Sequence, residues 1–146
     1  MEIAYCAPPD TGDGSKSSNN DVNKKKKLPG LAGLRILVIE DEPLQALFVA
    51  QMIIELGAEV AGVATSIPAA LAEMSEKTFD CVTLDLNMGG MFSLGMSRGL
   101  RDMGVPYVFC TAYGDVIDGL ADAPVIKKPV TEEALAEGLL KALGRR

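Results

Sequence analysis

RILVIEDEP, residues 35–43, decides the fold: a run of branched apolar side chains stops on two acids, Glu40 and Asp41, and a proline. FDCVTLDLNMGG, residues 79–90, repeats the pattern and delivers Asp85. Runs this apolar and this short suit strands buried on both faces, as in a parallel sheet. An acid at their ends stands where open parallel sheets place their chemistry, outside the C-terminal ends of the strands. Two further runs end alike: VPYVFCTAYG, residues 105–114, delivers Thr111, and PVIKKP, residues 124–129, delivers Lys128.

Between these runs the pattern turns helical. Pro43 suits a first helical turn, where its missing N–H has no partner to lose. Leu44, Leu47, Phe48, Gln51, Met52 and Leu56 recur at helical spacing until Gly57. Glu59–Ala64 reads as a second strand, and Ser66 as the cap of a helix reaching about Glu76. Phe79–Leu84 is the third strand. Gly89 and Gly90 read as a flexible loop before a helix over about Phe92–Met103. Val105–Cys110, a short helix near Val116–Leu120, a strand Pro124–Lys127 and a helix from Thr131 to Leu143 complete the series. Strand and helix alternate throughout, which predicts an α/β fold: a doubly wound parallel sheet of five strands with five helices.

Residues 1–32 read as a flexible N-terminal tail and 33–146 as one domain. The tail holds PPDTGDGSKSSNND and then four lysines, Lys24 to Lys27. A solvated leader is the simple reading; contact with an acidic partner or an anionic surface is the other. The net charge of -6 argues against a broad nucleic-acid surface. Three scattered cysteines (Cys6, Cys81, Cys110) make neither a disulfide framework nor a zinc site, and there is no histidine to act as zinc ligand or neutral-pH base. No apolar stretch reaches membrane-spanning length and no signal peptide is visible, so the cytoplasm is expected.

An acid at a strand end often only starts a turn, and a Lys or Thr there can be satisfied locally. Three acids gathered at one edge are different, because they repel unless a cation joins them. Oxygen ligands without His or thiolate favour Mg²⁺, with Mn²⁺ as the alternative. In that setting Asp85 can attack phosphorus, while Lys128 and Thr111 meet the phosphoryl oxygens.

From about Leu34 onward the chain resembles the receiver domain of two-component response regulators, whose sheet is flavodoxin-like. The resemblance implies that Glu40 and Asp41 form the acidic pair and Asp85 accepts the phosphoryl group. The Asn87 carbonyl would complete the metal site with Glu40, Asp41 and Asp85. Thr111 matches the switch hydroxyl, and Lys128 the lysine before a proline. It also implies phosphoryl transfer from the phosphohistidine of a sensor kinase or phosphotransfer protein, followed by slow hydrolysis rather than the turnover of a classical enzyme. Two positions depart from the pattern. Gly89 follows Met88 where a proline is usual, and Val125 stands where a switch aromatic is usual. FCTAY, Phe109 to Tyr113, resembles the F-A-T-G-Y signature of mostly single-domain alphaproteobacterial receivers, with Cys110 and Ala112 substituted; there Tyr113 becomes a switch candidate.

No DNA-binding domain is expected after Arg146, so output is a protein contact. The family implies a face built on its last strand and last two helices, through which a homodimer can form. Phosphorelay or kinase regulation is the first reading and a phosphorylation-dependent protein-binding switch the second. A metal-dependent small-molecule phosphohydrolase is the third, weakened because Asn87 stands where many aspartate-based phosphatases carry an acid. An interaction module that never takes phosphate is the fourth.

Overall fold

The computed structural model describes residues 29–88, 91–92, 94–112 and 123–145. Its main sheet has five strands: β1 Arg35–Ile39, β2 Glu59–Ala64, β3 Cys81–Asp85, β6 Tyr107–Thr111 and β7 Val125–Lys127, in the order β2-β1-β3-β6-β7. All four pairings are parallel. Helices α1 Pro43–Glu55, α2 Ile67–Glu76, α3 Leu94–Asp102 and α4 Glu132–Ala142 connect and cover it. This is the five-stranded doubly wound parallel sheet expected from the run pattern, in the flavodoxin-like order that the resemblance implies. The helix expected near Val116–Leu120 lies outside the described residues.

Local chemistry sets the element ends. Pro43 opens α1, and Gly57 follows its end with φ +97°, the left-handed conformation that glycine adopts without strain. The Ser66 hydroxyl accepts from the Ala69 N–H at 3.2 Å, and the Thr131 hydroxyl from the Ala134 N–H at 3.2 Å, capping α2 and α4.

The pleat then sorts side chains between two cores. Ile36 and Val38, Cys81, Val108 and Cys110, and Ile126 pack against α1 and α4. Leu37 and Ile39, Val82 and Leu84, and Phe109 pack on the other face with Ala70 of α2 and Leu100 of α3. The same alternation carries past the strand ends. Glu40 continues the row of Val38, Asp85 the row of Cys81, and Lys128 the row of Ile126, so all three project on the α1/α4 side.

Three features differ from the sequence reading. Residues 29–31, read as the end of the tail, form a 3-10 turn whose Leu31 is fully buried in the α1/α4 core; the packed unit therefore includes this turn. Asn87–Met88 (β4) and Met91–Phe92 (β5) pair antiparallel, where an open loop was expected; Gly89 and Gly90 themselves lie outside the described residues. Helix α1 packs through Ala46, Val49 and Ile53, while Leu44, Leu47 and Phe48 of the expected stripe are more than half exposed, at 59%, 57% and 58%. A helix apolar on every side gives its periodicity no phase, so the strand beneath it chooses the buried face.

Candidate functional site

The C-terminal ends of β1, β3, β6 and β7 bring Glu40, Asp41, Asp85, Thr111 and Lys128 to one edge. Glu40 and Asp85 are 3% and 5% exposed and Thr111 is fully buried, although all three are polar. The Lys128 ammonium explains much of this. Its Nζ donates to Glu40 Oε2 at 3.0 Å and Oε1 at 3.1 Å, and to Asp85 Oδ2 at 3.3 Å. The other Asp85 oxygen, Oδ1, accepts the Asn87 backbone N–H at 3.1 Å. The Glu42 N–H donates more weakly to Glu40 Oε1, at 3.4 Å. Asp85 is thus gripped from both sides, which fixes the direction its carboxylate presents.

Backbone geometry holds the lysine in place. The Lys128 N–H donates to the Thr111 carbonyl at 3.0 Å, tying the end of β7 to the end of β6. The Lys128–Pro129 peptide is cis. Asp85 lies in register with Cys110, a fully buried thiol pushed up to about 12 by its burial.

Among the described residues, Glu40, Asp41 and Asp85 each bring a carboxylate oxygen to within 4.8 Å of the others, and Lys128 donates to two of the three acids. Burial raises the Glu40 carboxyl to about 7; the Asp85 charge adds to that and Lys128 opposes it. Burial also raises Asp85, against the Asn87 N–H and Lys128. For Lys128, burial works to lower the pKa, but the Glu40 and Asp85 carboxylates outweigh it and the net shift is upward. A cluster of three close carboxylates, all oxygen donors, fits a hard divalent cation. Asp41, half-buried at the mouth, is the most open of the three acids.

The structure therefore gathers the expected Glu40, Asp41, Asp85, Thr111 and Lys128, with Asn87 beside them. Tyr113 lies outside the described residues. Val125 sits in register with Phe109 in β7, one strand position before Ile126. Two contacts were absent from the sequence reading: the Asn87 N–H holding Asp85, and Lys128 acting as a counter-ion for Glu40 as well as Asp85. The second follows from the parity of the pleat, a signal already present in the strand runs. The first requires the tight turn at Leu86, which no residue type announces.

A shallow cavity of about 430 Å³ adjoins this edge, lined by Gln45, Phe48, Val49 and Met52 of α1 and by Lys128, Pro129 and Val130. The apolar face of α1 thus runs up to the lysine. Among the described residues no helix is long and apolar enough to cross a membrane.

Known proteins resemble this chain in sequence and in fold. The chain is 34% identical over 124 residues to the transcriptional regulatory protein TcrA of Mycobacterium tuberculosis, covering 80% of this chain and 48% of that protein. It thus spans about half the length of that relative. The solution structure of SdrG from Sphingomonas melonis Fr1 superposes with a TM-score of 0.66 at 32% identity, covering 80% of this chain and 98% of that one. The response regulator PhyR from Brucella abortus gives 0.70 at 28% identity, covering 78% of this chain and 49% of its own. Residues 36–139, from the start of β1 to near the end of α4, match the response regulator receiver domain, and with the acidic cluster at the expected strand ends the chain belongs to that family.

Proposed function

We propose that Asp85 is the phosphoacceptor, and that the chain takes a phosphoryl group from a phosphohistidine to act in phosphorelay or kinase regulation. The observation that carries this reading is the Asp85 carboxylate held between the Lys128 ammonium and the Asn87 N–H. A carboxylate so fixed loses little freedom on attack. An Asp85 oxygen forms the new O–P bond as the donor's N–P bond breaks. The product is an acyl phosphate, and the released imidazole takes up a proton. Lys128 neutralises charge on the phosphoryl oxygens, and Thr111 donates its hydroxyl to one of them. Glu40, Asp41, Asp85 and the Asn87 carbonyl would hold Mg²⁺, or Mn²⁺, which when bound supplies further neutralisation of the phosphoryl charge.

The donor we infer is a protein, a sensor histidine kinase or a histidine phosphotransfer protein. The exposed Phe48, which lines the cavity at Lys128, supports this together with the exposed Leu44 and Leu47 of the same helix, since a small phosphate ester has no use for an apolar helix face. We assign the switch to Thr111 and Tyr113, because Val125 carries no ring to reorient. Partner discrimination that is unchanged in Tyr113→Ala would remove that residue from the switch. Cytoplasmic action agrees with the free, buried Cys81 and Cys110.

The direct experiment is incubation with acetyl phosphate and Mg²⁺ followed by intact-mass measurement. One added phosphoryl group, absent in Asp85→Asn, supports the reading. Catalytic turnover of a phosphate ester without retained phosphate would show a hydrolase instead. No adduct from acetyl phosphate or from a kinase would leave an interaction module.

A further inference from the structure

Helix α3 is held unevenly. Its C-terminal half is tied down: Leu100 is fully buried, the Gly104 N–H donates to the Arg101 carbonyl at 3.0 Å, and the Val105 N–H donates to the Leu100 carbonyl at 2.9 Å. Gly104 has φ +72°, the left-handed closure that passes the chain on to β6. The N-terminal half has less to hold it. Leu94 and Met96 are only half-buried on the core beneath, and the buried Ser97 turns its hydroxyl back to the Leu94 carbonyl at 2.7 Å. Gly95 and Gly99 weaken it further. Both are exposed, neither has a left-handed φ, and a Cβ on either would meet nothing within 4 Å. Neither packing nor backbone conformation among the described residues therefore requires glycine at these positions. Relative to alanine, the pair disfavours the helical form about twentyfold.

The weak half is the one joined to the phosphoryl site. Asp85 Oδ1 accepts the Asn87 N–H at 3.1 Å, Asn87 pairs with Phe92 across β4 and β5, and α3 begins at Leu94. So short a path leaves little slack between the carboxylate and the first turn of the helix. We propose that phosphorylation of Asp85 loosens the first half of α3, with the β4–β5 pair as the lever; this rests on Asp85 being the phosphoacceptor. As an acyl phosphate, Asp85 no longer offers the Asn87 N–H a full carboxylate charge. The strongest acceptors become the phosphoryl oxygens, which lie farther out. Asn87 follows them, the paired Phe92 backbone moves with it, and the displacement is absorbed by the turns least able to resist it. Residues 94–99 then unwind more often, which uncovers Leu94 and Met96 as an apolar surface that depends on phosphorylation.

The test is amide hydrogen exchange on the full chain, with acetyl phosphate and Mg²⁺ against Mg²⁺ alone, and intact mass measured on the same samples. Amides of residues 94–99 should exchange about fivefold or more faster in the phosphorylated protein, while those of 100–105 keep their rate. Gly95→Ala/Gly99→Ala should take up the phosphoryl group as the parent does, since neither glycine belongs to the carboxylate cluster. Its 94–99 amides should exchange about tenfold more slowly in both states. Asp85→Asn should show no change on adding acetyl phosphate. A phosphorylated protein whose 94–99 amides exchange at the unmodified rate, or more slowly, overturns the proposal while the phosphoacceptor reading stands. So does a glycine variant with parental exchange rates. Absence of the phosphoryl adduct overturns the phosphoacceptor reading, and this proposal with it.

Discussion

Lys128 sits closer to Glu40 than to Asp85: Nζ lies 3.0 Å from Glu40 Oε2 and 3.3 Å from Asp85 Oδ2. One ammonium therefore serves two carboxylates whose charged forms burial disfavours. Its side chain is only 18% exposed, so solvent cannot replace it readily.

Removing that ammonium leaves two buried acids facing each other. In Lys128→Met, without divalent cation at pH 8, stability should fall by about 3 kcal/mol, the scale for breaking a buried pair. Mg²⁺ should recover part of the loss, because the uncompensated cluster attracts the cation more strongly. Uptake from acetyl phosphate should nevertheless drop about a hundredfold, since a charge aimed at the phosphoryl oxygens is gone. Thermal melts with and without Mg²⁺, and timed intact-mass measurements, check both parts. Equal melting temperatures in EDTA would rule out the role of Lys128 as internal counter-ion.

Glu40 gives the site a pH dependence whose sign is fixed by its direction of shift. Its folded pKa, about 7, lies above its ordinary value of 4.5, so between these values the folded cation-free state binds more protons than the unfolded one. The resulting stability is fully present below the ordinary value and is lost as pH rises through 7, up to about 3 kcal/mol. Cation-free protein should thus melt higher at pH 5 than at pH 8 as far as this group decides, and Glu40→Gln should flatten the profile. Divalent binding needs the carboxylate ionised, so it should release close to one proton at pH 6 and almost none at pH 8.5. Calorimetry in two buffers of different ionisation enthalpy reads that number directly; the same heat in both buffers at pH 6 would contradict it.

Asp85→Asn separates chemistry from stability. The amide cannot form an acyl phosphate, so uptake should disappear. One buried negative charge also disappears, and with it the repulsion of Glu40. The variant should therefore melt no lower than the parent in EDTA at pH 8, while binding Mg²⁺ about tenfold or more weakly. A large loss of stability would mean that the Asn87 N–H and Lys128 contacts to Asp85 hold the fold as well as the carboxylate.

The strand ends were legible because chemistry and burial coincide there. Glu40, Asp85, Thr111 and Lys128 each close an apolar run, and an apolar run buried on both faces has few other places to put a charge. Pro43, Ser66 and Thr131 marked their helices because each satisfies or omits a specific backbone donor. The rest depended on contacts without a local signature. The β4–β5 pair has two residues per strand, too few for alternation to register. Leu31 stands in a short Pro- and Gly-interrupted stretch after the lysine run, with no periodicity to mark it, and only its packing in the α1/α4 core shows that it is buried. The buried face of α1 was hidden because the helix is apolar on every side.

That all-round apolarity yields a prediction about partner choice. Leu44, Leu47 and Phe48 are more than half exposed, so replacing them should barely affect the fold: Phe48→Glu should stay within about 0.5 kcal/mol of the parent. Ile53, fully buried on the opposite face, is the contrast, and Ile53→Ala should lose about 2–5 kcal/mol. Phosphoryl uptake from acetyl phosphate should be unchanged in Phe48→Glu, because the substituted ring lies outside the carboxylate cluster. Uptake from a phosphorylated histidine kinase or phosphotransfer protein should fall about tenfold or more, since a charge now sits on the apolar approach to Lys128. The two donors therefore separate chemistry from docking. Equal losses with both would place Phe48 in the chemistry of the site, and no loss with the protein donor would move the docking surface away from α1.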